Sequence, residues 1–402
     1  MNLSEVVTSA AAIRLRQRLL PEGGPGDKIF PPTFAGGTYC WEQRRIDGKS
    51  VPCVLLDSVA SQANRLEAAL AELTASGAIE LPRLVVAFTG DLADIGEVST
   101  LAAPHRVFDA ILRDSNTNEG KPFFKSDLYK QLTACNVRNA TSLFANSPAA
   151  LLFGCWDSTG AAGGLGNKFA RALTSEIVGI NAEWGSTQGG VRQDPLGINS
   201  SVEISIDKEG DWSVVGKSVA GRKERAKGTR PSEINHGNVL LKVELGSQEV
   251  VDADGVIQSR RLPLKGGVTV DYALQTTVLS LTALRRLRFP VEGKSGTDDA
   301  ARAVLTALAL VAITSGRDQG YWLRSRCGLV ADGVQALEIL RADGSSSTLE
   351  IDSTAAIAAY QDAIAEARKA GLPWNPEPIL LNPQQKLVDL IKKSREIQSL
   401  GA

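Results

Sequence analysis

At 402 residues the chain is long enough for one large domain or two ordinary ones, and its 43% hydrophobic and 22% charged residues suit a globular chain rather than a disordered or fibrous one. A formal net charge of -1 decides nothing about nucleic acid, but the five cysteines contain no CxxC pair and only two histidines occur, which speaks against zinc or disulfide frameworks and for a reduced cytoplasm. No run of about 18 uninterrupted apolar residues occurs, so no membrane span is expected; Ala303–Ile313 reads as a buried core helix, and Glu5 followed by Arg14, Arg16 and Arg18 is no secretory signal.

In chain order, a helix is expected over about 3–20, followed by the irregular GGPGDKIFPPTFAGG. Thr38–Ile46 and Val51–Leu56 around Asp47-Gly48 predict a hairpin. Ser58–Ser76 predicts an amphipathic helix ending at Gly77, with Val59, Ala63, Leu66, Leu70 and Leu73 as its core stripe and Asp57 as its N-cap. Leu84–Phe88 is β-rich, and residues 104–150 read as helical or irregular. The glycine-rich GAAGGLG leads into a second expected helix, NKFARALTSEIVG, with Phe169, Leu173 and Ile177 inward. Strands are expected at Val202–Ile206, Trp212–Val215, Val239–Leu245 and Val268–Leu274, and helices at 277–288, 298–314, 354–370 and 384–399, interrupted by a hairpin near 335–351. No repeat or clean linker divides the chain, and the pattern is α+β.

The chemistry in this pattern is cationic and polar. Ser61, Asn64 and Arg65 share the outer face of the first amphipathic helix; that face serves as solvated surface or as a phosphate grip. Lys168, Arg171 and Ser175 repeat the design behind a glycine-rich bend, which offers free N–H groups but is not a Walker A loop. Six basic residues lie between Lys217 and Arg230, and with Arg44–Arg45–Lys49, Arg260–Arg261–Lys265 and Arg285–Arg286–Arg288 they point to one basic face. Catalytic constellations are thin: residues 185–189 read GSTQG rather than GxSxG, neither histidine sits in a triad, and Asp27, Asp57 and Asp91 read as turn or cap residues rather than Mg²⁺ ligands. No catalytic residue, metal or cofactor is expected. Two strand–helix units over an antiparallel sheet are the ferredoxin-like plan shared by RNA-recognition folds.

Five blocks carry a resemblance: GGPGDKIFPPTFAGG with the following RRIDG, LLDSVASQANRLE, SPAALLFGCWDSTG with NKFARALTSEIVG, RPSEINHGNV, and RRLPLKGGVTVDYALQTTVLSL. Over about residues 14–330 the chain resembles the RAMP-superfamily backbone subunit of the type I-G (formerly I-U) CRISPR surveillance complex, Cascade. The resemblance implies a single RAMP-type domain over 1–402. Its RRM-like palm would use about 38–90, 147–206 and 239–351. Finger and thumb insertions are expected near 104–145 and 207–238, with a helical region over 354–402. It implies a non-enzymatic, cytoplasmic crRNA-binding subunit in antiviral defence, with copies stacked along the guide. Its partners would be guide RNA, the target DNA strand, a large subunit, a guide-end-binding subunit and a recruited helicase–nuclease, with no membrane. The residues expected at the RNA are Lys28, Arg44, Arg45, Ser61, Gln62, Asn64, Arg65, Asn167, Lys168, Arg171, Arg222, Lys223, Arg225 and Lys227. The alternative is a RAMP-type endoribonuclease cutting target RNA with a palm-loop aspartate, Asp27 or Asp57.

Overall fold

The computed structural model describes residues 3–158, 168–185, 191–207, 210–215, 229–240, 245–251, 257–263 and 266–400. It divides into two compact units, the first made of 1–32, 41–182 and 270–402 and the second of 33–40 and 183–269.

In the first unit, in chain order, a short helix α1 (Leu3–Ser9) precedes strands β1 (Ala10–Pro21), β2 (Trp41–Ile46) and β3 (Lys49–Asp57) and helix α2 (Val59–Ala75). Then come β4 (Leu84–Ala87), β5 (Glu97–Ser99), β6 (Ser115–Thr117), several short helices, β7 (Leu173–Ile180) and β8 (Tyr272–Ser280). Helix α3 (Thr297–Asp318), strands β9 (Tyr321–Arg324), β10 (Cys327–Ala331), β11 (Leu337–Arg341) and β12 (Ser346–Leu349), helix α4 (Ser353–Lys369), β13 (Ile379–Pro383) and helix α5 (Gln385–Leu400) complete it.

The main sheet is antiparallel, in the order β9-β10-β1-β8-β7-β3-β2. Both β10 and β11 pair with one edge of β1, the first at Leu19–Pro21 and the second at Ala10–Arg14. Four strands, β5-β4-β13-β6, form a smaller sheet.

Three expected helices need correction. Residues 10–21 are a strand: Ile13, Leu15, Gln17 and Leu19 are buried while Arg16 and Arg18 are exposed, a period of two that the helix-favouring Ala, Leu and Arg content concealed. The expected second helix is also a strand, β7, preceded by a two-residue strand at Lys168–Phe169. Phe169, Leu173 and Ile177 are buried as expected, but residues four apart share a face in a helix and in a strand alike, so their spacing could not choose between them. For the same reason 277–288 begins as β8, and only Leu281–Leu284 is helical.

Helix α2 stands where its stripe placed it, with Ala63, Leu66 and Leu70 buried and Gly77 in the left-handed region beyond its end (φ 74°). Its N-cap is Ser58, whose side chain accepts from the Ser61 N–H, rather than Asp57.

Helix α3 is apolar all round and packs against α1, α2 and α4. Its length and composition would suffice to cross a membrane, but 83% of its apolar window is buried inside the protein, as a core helix requires. At Gly316 a Cβ would stand 2.8 Å from Leu66 Cδ2, so glycine lets α2 and α3 approach closely. Beneath α2, Glu67 (2% exposed) takes a two-pronged ion pair from Arg106, at 2.6 and 2.7 Å. Arg106 Nη1 also donates to the Gly154 carbonyl at 3.0 Å.

The second unit is built from hairpins. Ile204–Ile206 pairs with Trp212–Val214, and Leu245–Val251 with Ile257–Pro263. Tyr39 stacks on Trp184 at 5.3 Å and its hydroxyl accepts from the Gly267 N–H. On the first hairpin Ile206, Trp212 and Val214 are exposed.

Candidate nucleic-acid interface

The polar end of α2 is anchored to the sheet by a buried network. Asp57, 1% exposed, accepts through Oδ2 from Gln62 Nε2 (2.7 Å) and Arg65 Nε (2.9 Å), while its Oδ1 faces Arg324 Nη2 at 3.6 Å. The Gln62 carbonyl oxygen accepts from Ser175 Oγ (2.8 Å) on β7 and Gln275 Nε2 (3.0 Å) on β8, and Ser175 shares a hydroxyl bond with Thr277. Tyr321 on β9 completes the network by donating to Gln275 Oε1 at 3.1 Å; burial pushes its phenol pKa up to about 12, so it holds its proton. Each buried amide and hydroxyl here has a partner, which is the condition for keeping polar groups inside a fold.

Arg65 is thus a bracket before it is anything else. Nη1 and Nη2 donate to the Trp322 and Leu323 carbonyls, at 3.2 and 2.8 Å, tying the edge strand β9 to α2. Three of the five N–H groups of a guanidinium are spent in this way, leaving two for solvent or a ligand. Asn64 is exposed beside it and Ser61 half-buried, whereas Gln62 is 4% exposed and belongs to the network. Next to Arg65 the sheet edge carries Trp322, its indole 66% exposed because its neighbours Tyr321 and Leu323 turn inward.

The other expected residues are dispersed. Arg44 on β2 is ion-paired to Glu42 and Glu176, and Arg45 donates to the Gly48 carbonyl. Arg171 Nε donates to the Phe153 carbonyl, and the Lys168 ammonium lies over the Trp156 ring at 5.5 Å. Lys28 is half-buried in the loop after β1. Asn167, Arg222, Lys223, Arg225 and Lys227 lie outside the described residues. The expected basic face is reduced at the cluster 285–288: Arg285 donates to the Val7 and Ala10 carbonyls at the end of α1, and Arg288 pairs with Asp298.

Sequence reasoning passed over Trp322, Arg324, Gln275, Thr277 and Tyr321, and it set on an outer polar face what is the inward Ser175. Ser175, Gln275, Thr277 and Tyr321 had a signal: polar side chains at core positions of otherwise apolar strands. It also passed over the sheet face turned away from α2 and α3, where Arg14 and Arg18 pair with Glu338 and Asp332 and Arg18 lies 4.1 Å over the Tyr272 ring.

All five cysteines are free, and the described residues contain no group of three or more His, Cys, Asp or Glu side chains able to hold a metal ion. The arrangement offers cationic donors, amides and an exposed aromatic ring, which is chemistry for holding an anionic, ring-bearing polymer.

Residues 13–184, from within β1 to just past β7, match the model of a family described as CRISPR-associated protein GSU0053. Through that segment, which is less than half of the chain, it is similar to a CRISPR-associated protein family. No curated protein matches it in sequence.

Proposed function

We propose that this chain is a non-catalytic crRNA-binding backbone subunit of a Cascade effector complex, of the type I-G kind, that oligomerises along its guide and supports recognition of target DNA. The observation that carries this is the coincidence of the CRISPR-associated family match with the strand order. In sequence β1-α2-β7-β8-α3-β10 follows the β-α-β-β-α-β plan, with β1 and β8 central, and β2–β3 extends its edge as a hairpin. This is the plan of a ferredoxin-like, RRM-like palm. The larger segment of the second unit, 183–269, enters the chain between β7 and β8, where a thumb would be inserted. Its exposed Ile206, Trp212 and Val214 are the kind of apolar hairpin that can wedge between bases. A subunit that accepts any guide sequence must hold phosphate and ribose, for which Arg65, Asn64, Lys168 and Arg171 have suitable donors.

Further copies of the chain, a large subunit, a guide-end-binding subunit and a helicase–nuclease are the partners this reading requires. The endoribonuclease alternative finds no support in Asp57, whose carboxylate is buried and engaged. It would rest on Asp27, exposed in the loop after β1.

The test is to size and sequence the RNA that co-purifies with the chain expressed together with a CRISPR array. Guide-length RNA of array sequence is expected, and array-derived RNA at background level would overturn the reading. Mg²⁺-dependent cleavage of complementary RNA, lost in Asp27→Ala, would replace it with the nuclease.

A further inference from the structure

Between α2, the end of α3 and the edge strand β9 lies a groove of about 420 Å³, within the ~300–1,000 Å³ of small-ligand sites. Trp322 forms one wall, Arg65 and Arg317 supply cations, and Gln62, Gln275 and Tyr321 of the buried network form part of its lining. Arg317 spends an Nη2 donor on the Ile351 carbonyl (3.3 Å), and Gln319 donates to Glu72 at 2.6 Å, which leaves one mixed polar rim beside one large aromatic surface. An indole 66% exposed at a sheet edge gives up apolar burial that the described residues do not supply.

We infer that this groove takes one unstacked nucleobase of a single-stranded nucleic acid, its ring against Trp322 and its phosphate on the free N–H groups of Arg65 and on Arg317. The strand, rather than a free nucleotide, is the ligand because the hairpin leaving the groove continues with Arg324 and the exposed Arg326, and so extends the cationic track past one residue's worth of phosphate. The inference deepens the RNA-binding reading and rests on it. It adds contact with a base to a grip otherwise confined to the backbone, and it is sequence-tolerant because every base has a ring to stack.

The experiment measures binding of the full chain to a short oligoadenylate, to the same oligomer with abasic riboses, and to AMP. Trp322→Ala is expected to weaken oligoadenylate binding by roughly 5- to 150-fold, the range for one stacked base, with Trp322→Phe retaining most of the affinity. The abasic oligomer should bind wild type and Trp322→Ala alike. Ala68→Phe, at an exposed position of α2 that lines the groove, should reproduce the loss by filling it. Equal losses on both oligomers, or none on either, would overturn the base site while leaving RNA binding intact. If AMP displaced the oligomer at matched concentration, the strand assignment would fail. Absence of wild-type binding to either oligomer would instead sink the RNA-binding reading itself.

Discussion

Replacing Arg106 by methionine removes one half of the buried pair under α2. Glu67 would then sit at 2% exposure without the two bonds of 2.6 and 2.7 Å that now neutralise it, and the Gly154 carbonyl would lose its donor. Breaking a buried ion pair on one side costs about 3–5 kcal/mol, because a charge is left without water or partner, while methionine restores most of the volume. Burial already pushes the Glu67 pKa up, with Arg106 opposing it, so loss of Arg106 raises it further. A carboxyl whose folded pKa exceeds its unfolded one binds more protons when folded. The single variant is therefore most stable below the ordinary carboxylate pKa and loses stability as pH rises through the raised value. The double variant Glu67→Leu/Arg106→Met removes both charges and should lie within about 1–2 kcal/mol of wild type. Urea denaturation followed by circular dichroism at two pH values reads all four corners of the cycle. A single variant less than about 1 kcal/mol below wild type, or a double variant as unstable as the single, would refute the reasoning.

Gly154→Ala is expected to cost about 2–4 kcal/mol in the same assay, because φ 80° with ψ 151° is open only to glycine and the added Cβ would meet the Phe169 carbonyl at 3.0 Å. Asp57→Ala should destabilise by about 2–4 kcal/mol through the orphaned Gln62 amide and Arg65, while Asp27→Ala stays within about 0.5 kcal/mol; the reverse order in thermal melts would displace Asp57 from its structural role. The outer half of α5 is held by Lys392–Asp91 and Arg395–Asp94, whose carboxyl pKa values are lowered by those partners. Its docking should therefore be full above the ordinary carboxylate pKa and weaken as pH falls through the lowered values, and also in molar salt; hydrogen exchange of 392–399 that ignored both pH and salt would contradict this.

How much of this was legible in the sequence depended on whether a residue pattern had one solution. Helix α2 combined a stripe with a terminal glycine and stands where these placed it within a residue or two, its cap falling on Ser58 instead of the expected Asp57. Phe169, Leu173 and Ile177 announced burial correctly, but their spacing of four is common to helix and strand, so β7 was assigned the wrong element. In β1 the arginines between Ile13, Leu15 and Leu19 carried a period of two, which helix propensity outweighed only on paper, since the neighbours that fix the strand lie more than two hundred residues away. The polar face of Ser61, Asn64 and Arg65 was legible as a donor set. That Arg65 spends three donors on Asp57 and β9 was not, because those partners meet only in the folded chain.

The position of β1 also bears on how the protein is made. Its hydrogen-bonded neighbours are β8 on one side and β10 and β11 on the other, and the first of them begins about 250 residues after β1 ends. At roughly 5–20 residues per second of synthesis, an alternating strand of Ile13, Leu15 and Leu19 emerges from the ribosome with both edges bare for about 12–50 s. The segment 13–184 contains most of β1 but none of the strands that pair with it. Released alone, that segment would be a client for holding chaperones or a seed for edge-to-edge aggregation rather than a small version of the whole.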